Sequence, residues 1–207
     1  MTNVLDASSL TLPEVIDRLQ LEISFEDDFS VYLKLDALTA REATQIAELR
    51  QNWQRYYLQG KISENQVKVA ALSPLLWMSG YLSDPTLQIS MEEAIEEIVI
   101  EDGESVIRGR MDLWVGRQVA GDRVPLCVLI VEAKNSAISP AVGLPQLLTY
   151  AGTLMERQGF VWGLVSNGLD YVFVRLESGV CRQFRSLSVL MLEESELLLA
   201  VAIAIRR

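Results

Sequence analysis

Residues 126–134 read Leu-Cys-Val-Leu-Ile-Val-Glu-Ala-Lys. Six apolar residues, Leu126 to Val131, run straight into an acid and a lysine. A short apolar run containing β-branched residues reads as a strand buried on both faces. Side chains alternate along a strand, so Glu132 and Lys134 share one face and Ala133 takes the other. Charges at the end of a core strand need a partner or a ligand, because burying them alone is costly. A carboxylate and an ammonium side by side at that place predict a site, and a metal-dependent one suits them.

Spacing alone carries little weight. With four lysines and 28 acidic residues among 207, chance supplies about one half of an acid-x-Lys triplet. The surroundings add weight. Twenty residues upstream, Val106 to Val115 (Val-Ile-Arg-Gly-Arg-Met-Asp-Leu-Trp-Val) is a second strand-like segment holding Asp112. Gly116 to Pro125, centred on Gly121-Asp122, reads as the turn between the two strands. Such a hairpin brings Asp112 beside Glu132. Two carboxylates with a backbone carbonyl and waters suit octahedral Mg²⁺.

Asp112 followed by Glu132-Ala133-Lys134 resembles the core of the PD-(D/E)XK nucleases. Gln146-Leu147-Leu148-Thr149-Tyr150 on the next helix is similar to the Q-x-x-x-Y element of one branch of that superfamily. Glu64 opens an upstream helix, and Phe160 to Val174 follows downstream. This order resembles the nuclease domain at the start of the motor subunit of type I restriction enzymes, over roughly residues 60–176. Met111 stands where the name-giving proline would be.

The resemblance implies a restriction-endonuclease-like αβββαβ core with a mixed central sheet. It implies Asp112, Glu132 and Glu64 as Mg²⁺ ligands, with Mn²⁺ able to substitute. Lys134 would act on the attacking water or the phosphate, and Gln146 and Tyr150 would orient that region. The implied activity is hydrolysis of DNA phosphodiester bonds; a catalytically silent nuclease-fold protein serving as an assembly or binding module is the alternative. Each residue also has a plainer reading. Asp112 could pair with Arg108 or Arg110 on its own face, Glu132 with Lys134 could be a simple ion pair, and Glu64 could be a first-turn glutamate favoured by the helix dipole. Ser166-Asn167-Gly168 reads chiefly as a turn.

Composition narrows the field. Half the residues are apolar, enough for one substantial core. The absence of histidine removes Ser-His-Asp and Cys-His catalysis and histidine-ligated zinc. Neither G-x-x-x-x-G-K-[ST] nor G-x-G-x-x-G occurs, which argues against a motor or a Rossmann site. Cys127 and Cys181 form no C-x-x-C pair, and no apolar run approaches the roughly 20 residues of a membrane span. A cytoplasmic protein with no membrane partner is the expectation.

The net charge of −10 argues against a free-standing DNA binder. Its distribution is uneven. Residues 1–104 hold 7 basic and 19 acidic side chains, while residues 105–188 hold 9 basic and 6 acidic. Arg108 and Arg110 are the candidate substrate contacts, with Arg157 and Arg175 as further phosphate candidates. Weak DNA binding is expected, strengthened by a homo-oligomer or a partner subunit.

Along the chain, residues 1–60 are expected to form an acidic N-terminal helical extension and residues 61–207 the nuclease-like core with a C-terminal helix. Expected helices are Leu12 to Leu21, a capped helix from Thr39 to Leu58, another from Ser63 that either ends near Ser73-Pro74 or continues with a kink to Met78, Leu144 to Gln158, and Leu190 to Ile205. Ile23 to Leu35 is expected to fold as a hairpin around Glu26-Asp27-Asp28. Leu87 to Ile100 is expected to be strand, and Glu101 to Glu104 a turn.

Overall fold

The computed structural model describes residues 3–94, 98–99, 105–118 and 125–207. Most of the expected Gly116–Pro125 turn, the Glu101–Glu104 turn, and Glu96 and Glu97 lie outside these residues.

The chain opens with β1 (Asn3–Asp6), α1 (Leu12–Arg18) and β2 (Glu22–Glu26). A long helix follows, α2 (Ala40–Gln59), then a continuous helical stretch of α3 (Glu64–Val67), a π turn over Lys68–Leu72 and α4 (Ser73–Met78). Next come β3 (Leu87–Ala94), β4 (Ile98–Val99), β5 (Ser105–Arg108), β6 (Arg110–Arg117) and β7 (Leu126–Ala133). The last third holds α5 (Leu144–Gln158), β8 (Phe160–Ser166), β9 (Asp170–Glu177), β10 (Val180–Phe184), β11 (Leu187–Ser188) and α6 (Leu192–Arg206).

The main sheet has the order β2-β10-β9-β8-β7-β6-β3, with β11 added beside β9. It is mixed: β7 pairs parallel with β8, and β10 with β2, while the other neighbours along this path are antiparallel. The parallel β7–β8 pair requires a crossover, and α5 supplies it. A small sheet, β1-β5-β4, lies apart.

Strand alternation divides the core in two. Leu129, Val131 and Ala133 of β7 face a cluster built by α2, α3, α4 and α6, including Ile46, Trp53, Leu72 and Leu199. Ile130 faces the other cluster, built by α1 and α5 through Val15, Leu144, Leu147 and Ala151. The result is a central mixed sheet between two helical layers. Among the described residues no helix is long and apolar enough to cross a membrane.

One local expectation changes. Residues 23–35 form no hairpin: β2 pairs in parallel with β10, from Glu22↔Val180 to Glu26↔Phe184, and a short 3₁₀ turn over Phe29–Val31 follows. Aromatic packing draws this segment in, because Phe29 stacks on Phe184 at 4.4 Å. The helix from Ser63 takes the second of its two expected courses and continues past Pro74 to Met78. Proline lacks the N–H for a normal helical bond, and the wide turn before it absorbs the mismatch, with Ser73 N–H donating to the Lys68 carbonyl five residues back. The first sixty residues contribute Phe29, Ile46, Leu49 and Trp53 to the same cluster as Leu113, Val131 and Phe173.

Candidate active site at the ends of three strands

The β6–β7 register includes Leu113↔Val131, so its next step sets Asp112 opposite Glu132. On the other side of β6, Met91↔Leu113 and Glu93↔Met111 bracket Glu92 opposite Asp112. Three adjacent strands therefore carry a row of acids: Glu92, Asp112, Glu132. Where the β6–β7 ladder ends, Asp112 Oδ2 accepts the Ala133 N–H at 2.7 Å. Glu92 sits at φ 55°, a left-handed conformation uncommon for any residue but glycine.

Asp112 is 7 % exposed and Glu132 only 1 %. Lys134 Nζ donates to Glu132 Oε1 at 2.6 Å and to Gln146 Oε1 at 3.4 Å. Glu132 Oε2 is buried with no hydrogen-bond partner. Burial, then the nearby Asp112 charge, pushes the Glu132 carboxyl up to about 8, and the Lys134 ammonium only partly offsets them. The Glu64 charge adds a smaller push in the same direction.

Lys68, which the sequence reading passed over, is the second cation of the site. It is 8 % exposed. Its Nζ lies 2.6 Å from Asp112 Oδ1, 2.8 Å from Glu92 Oε1 and 3.4 Å from Glu64 Oε1. Burial pulls its pKa down, but the bonds to Asp112 and Glu92 outweigh burial and raise it, so it stays charged. The pairing of Asp112 with Arg108 or Arg110 is thereby replaced by one with Lys68. Lys68 sits four residues after Glu64 on a helix, a pattern that also describes an ordinary surface pair. Only its burial reveals its place.

The helix after β7 holds the row in position. Tyr150 donates to the Arg110 carbonyl at 2.9 Å and Gln146 Nε2 to the same oxygen at 3.3 Å. The Q-x-x-x-Y pair thus clamps the start of β6, two residues before Asp112, while Gln146 also reaches Lys134. Gly143 lets α5 approach: a Cβ there would lie 2.7 Å from Val165 Cγ1 and 3.0 Å from Glu132 Cγ. Ser136 ties the loop after Lys134 to the start of α3, with its Oγ 2.8 Å from the Ile62 N–H and its own N–H 3.0 Å from the Ile62 carbonyl.

The remaining candidates divide. Arg108 and Arg110 are exposed on the strand run leading to Asp112. Arg175 pairs with Glu177 and lies over Phe160 at 4.7 Å, level with Trp162, toward the other end of the strands from Glu132. Arg157 is eleven residues after Gln146 on α5, about 16 Å along the helix axis. Neither Arg157 nor Arg175 belongs to the acid row. Ser166-Asn167-Gly168 is a turn whose polar side chains bond internally and to the Ile138 carbonyl.

Among the described residues, no group of three or more His, Cys, Asp or Glu side chains stands ready as a metal site. Still, four carboxylates (Glu64, Glu92, Asp112, Glu132) face two ammonium groups, and the orphaned Glu132 oxygen is a hard donor beside Asp112. Asp112 and Glu132 are hard oxygen donors of the kind Mg²⁺ or Mn²⁺ takes, and they are the two acids that could hold one, while Glu64 pairs with Lys68. No family model matches the chain, and no curated protein is significantly similar to it.

Proposed function

We propose that this chain is a Mg²⁺-dependent nuclease domain of the PD-(D/E)XK kind, with a restriction-endonuclease-like core, that hydrolyses phosphodiester bonds in DNA. The observation that carries the reading is the pairing of Asp112 with Glu132 across neighbouring strands, with Lys134 beside Glu132 and Gln146 behind it. Asp112 and Glu132 would hold the cation, whose chemistry there would be Lewis-acid polarisation of the phosphodiester and acidification of water. Lys134 then provides a donor beside the carboxylates that steadies charge developing on the phosphate. Gln146 limits how far that ammonium can move. Tyr150 fixes the strand that carries Asp112. Arg108 and Arg110 offer guanidinium groups to the DNA backbone on the approach to the site.

A second reading has its own observation in its favour. Lys68 already neutralises Asp112, and no ready group of three ligands is present among the described residues. This supports a catalytically silent nuclease-fold module that binds a partner subunit or a second copy of itself. Metal-dependent melting separates the two. A specific site raises the melting temperature with Mg²⁺ or Mn²⁺ by mass action, and Asp112→Ala removes the effect. An unchanged melting temperature in millimolar metal favours the silent module.

A further inference from the structure

We propose that the Lys68 ammonium is a tethered counter-ion that occupies part of the divalent cation's place at Asp112 and must leave Asp112 Oδ1 for the cation to bind. The inference rests on the acid row being a cation site, as proposed above. Both Asp112 oxygens are engaged, Oδ1 by Lys68 at 2.6 Å and Oδ2 by the Ala133 N–H at 2.7 Å. A second cation at Oδ1 would sit within a few ångströms of the ammonium, in a site shielded from water, where like charges repel strongly. The two cations therefore compete.

Lys68 has somewhere to go. Glu64, one helical turn back, is 3.4 Å from Nζ and 42 % exposed at its side chain; Glu92, at 2.8 Å, is 53 % exposed. Both carboxylates lead toward solvent, so the flexible four-carbon stem can swing outward without leaving the charge unpaired. The backbone on both sides is unusual in a way that serves this contact. Lys68 opens the π turn, and such turns occur frequently at functional sites. Glu92, which meets it from β3, holds a left-handed conformation at φ 55°.

In the metal-free protein Lys68 keeps the acids from repelling one another. In the loaded protein its charge is held by Glu64 and Glu92 alone. Cation affinity is thus set by what Lys68 loses as well as by what the metal gains.

The test uses the full chain stripped with EDTA and titrated with Mn²⁺ by calorimetry. Lys68→Met keeps the stem and removes the charge. A charged hydrogen bond of this kind corresponds to roughly ten- to a hundredfold in affinity, and Lys68→Met is expected to bind Mn²⁺ tighter by that factor. In parallel, wild-type lysines are acetylated with and without saturating Mn²⁺ and read by mass spectrometry. Lys68 is expected to be protected without the metal and reactive with it, while Lys34, 89 % exposed, reacts equally in both. If Lys68→Met does not fold in metal-free buffer, the labelling decides. Mn²⁺ binding by the wild type with Lys68 still protected, or with no gain in Lys68→Met, overturns this inference and leaves the cation site standing. No binding by either protein overturns both.

Discussion

Replacing Glu132 by Gln should stabilise the metal-free protein, and by an amount that grows with pH. The native carboxyl is raised from the ordinary 4.5 to about 8 by burial and by Asp112. A carboxyl raised on folding holds its proton more tightly in the native state. Its contribution is fully present below about pH 4.5 and is lost as pH rises through about 8. Wild-type stability therefore falls across that window, and Glu132→Gln removes the fall. At about 1.4 kcal/mol per pH unit, the mutant's advantage is about 3 kcal/mol at pH 7 and on the order of 5 kcal/mol above pH 8. Glutamine keeps an oxygen for Lys134 to donate to, so the hydrogen bond from Lys134 is retained. Urea unfolding in EDTA at pH 5, 6, 7 and 8 measures the difference. A mutant-minus-wild-type gap that does not change with pH would refute the account of Glu132.

Lys134→Ala should abolish cleavage while Mn²⁺ affinity stays within a few-fold, whereas Asp112→Ala should lose both; calorimetry beside a cleavage assay separates these roles. Gly143→Ala should cost about 1–3 kcal/mol, because its Cβ would meet Val165 and Glu132 at 2.7 and 3.0 Å, and it should weaken Mn²⁺ binding as Glu132 shifts. Duplex DNA binding by the isolated chain should be weak and salt-dependent, with a log–log slope of about −2.7 if Arg108, Arg110 and Lys134 each neutralise one phosphate. Nanomolar binding insensitive to salt would contradict that picture of a chain with net charge −10.

Much of the site could be read before the fold was known, for local reasons. The Leu126–Val131 run is a strand because it is short and apolar, and Glu132 and Lys134 fall on one face by alternation. The helix over Leu144–Gln158 runs between Gly143 and Gly159, with Pro145 in its first turn, and places Gln146 and Tyr150 four apart on one side. What escaped is non-local. Lys68 meets Asp112 across 44 residues of chain and Glu92 stands opposite it across 20, and nothing in their own neighbourhoods distinguishes them from surface charges. The pairing of β2 with β10 joins residues 22–26 to 180–184, so an acidic stretch that reads locally as a hairpin turn instead follows a sheet-edge strand. The π turn arises from Pro74 within a helix whose packing continues beyond it.

The most direct test of the central claim is plasmid nicking by the purified chain with Mg²⁺, with EDTA, and with Asp112→Ala. The account predicts conversion of supercoiled to open-circular or linear DNA by the wild type in Mg²⁺ alone, with neither the EDTA sample nor the mutant cutting. Wild-type protein that binds Mn²⁺ yet never cuts DNA, or an Asp112→Ala mutant that cuts as fast as the wild type, would contradict it.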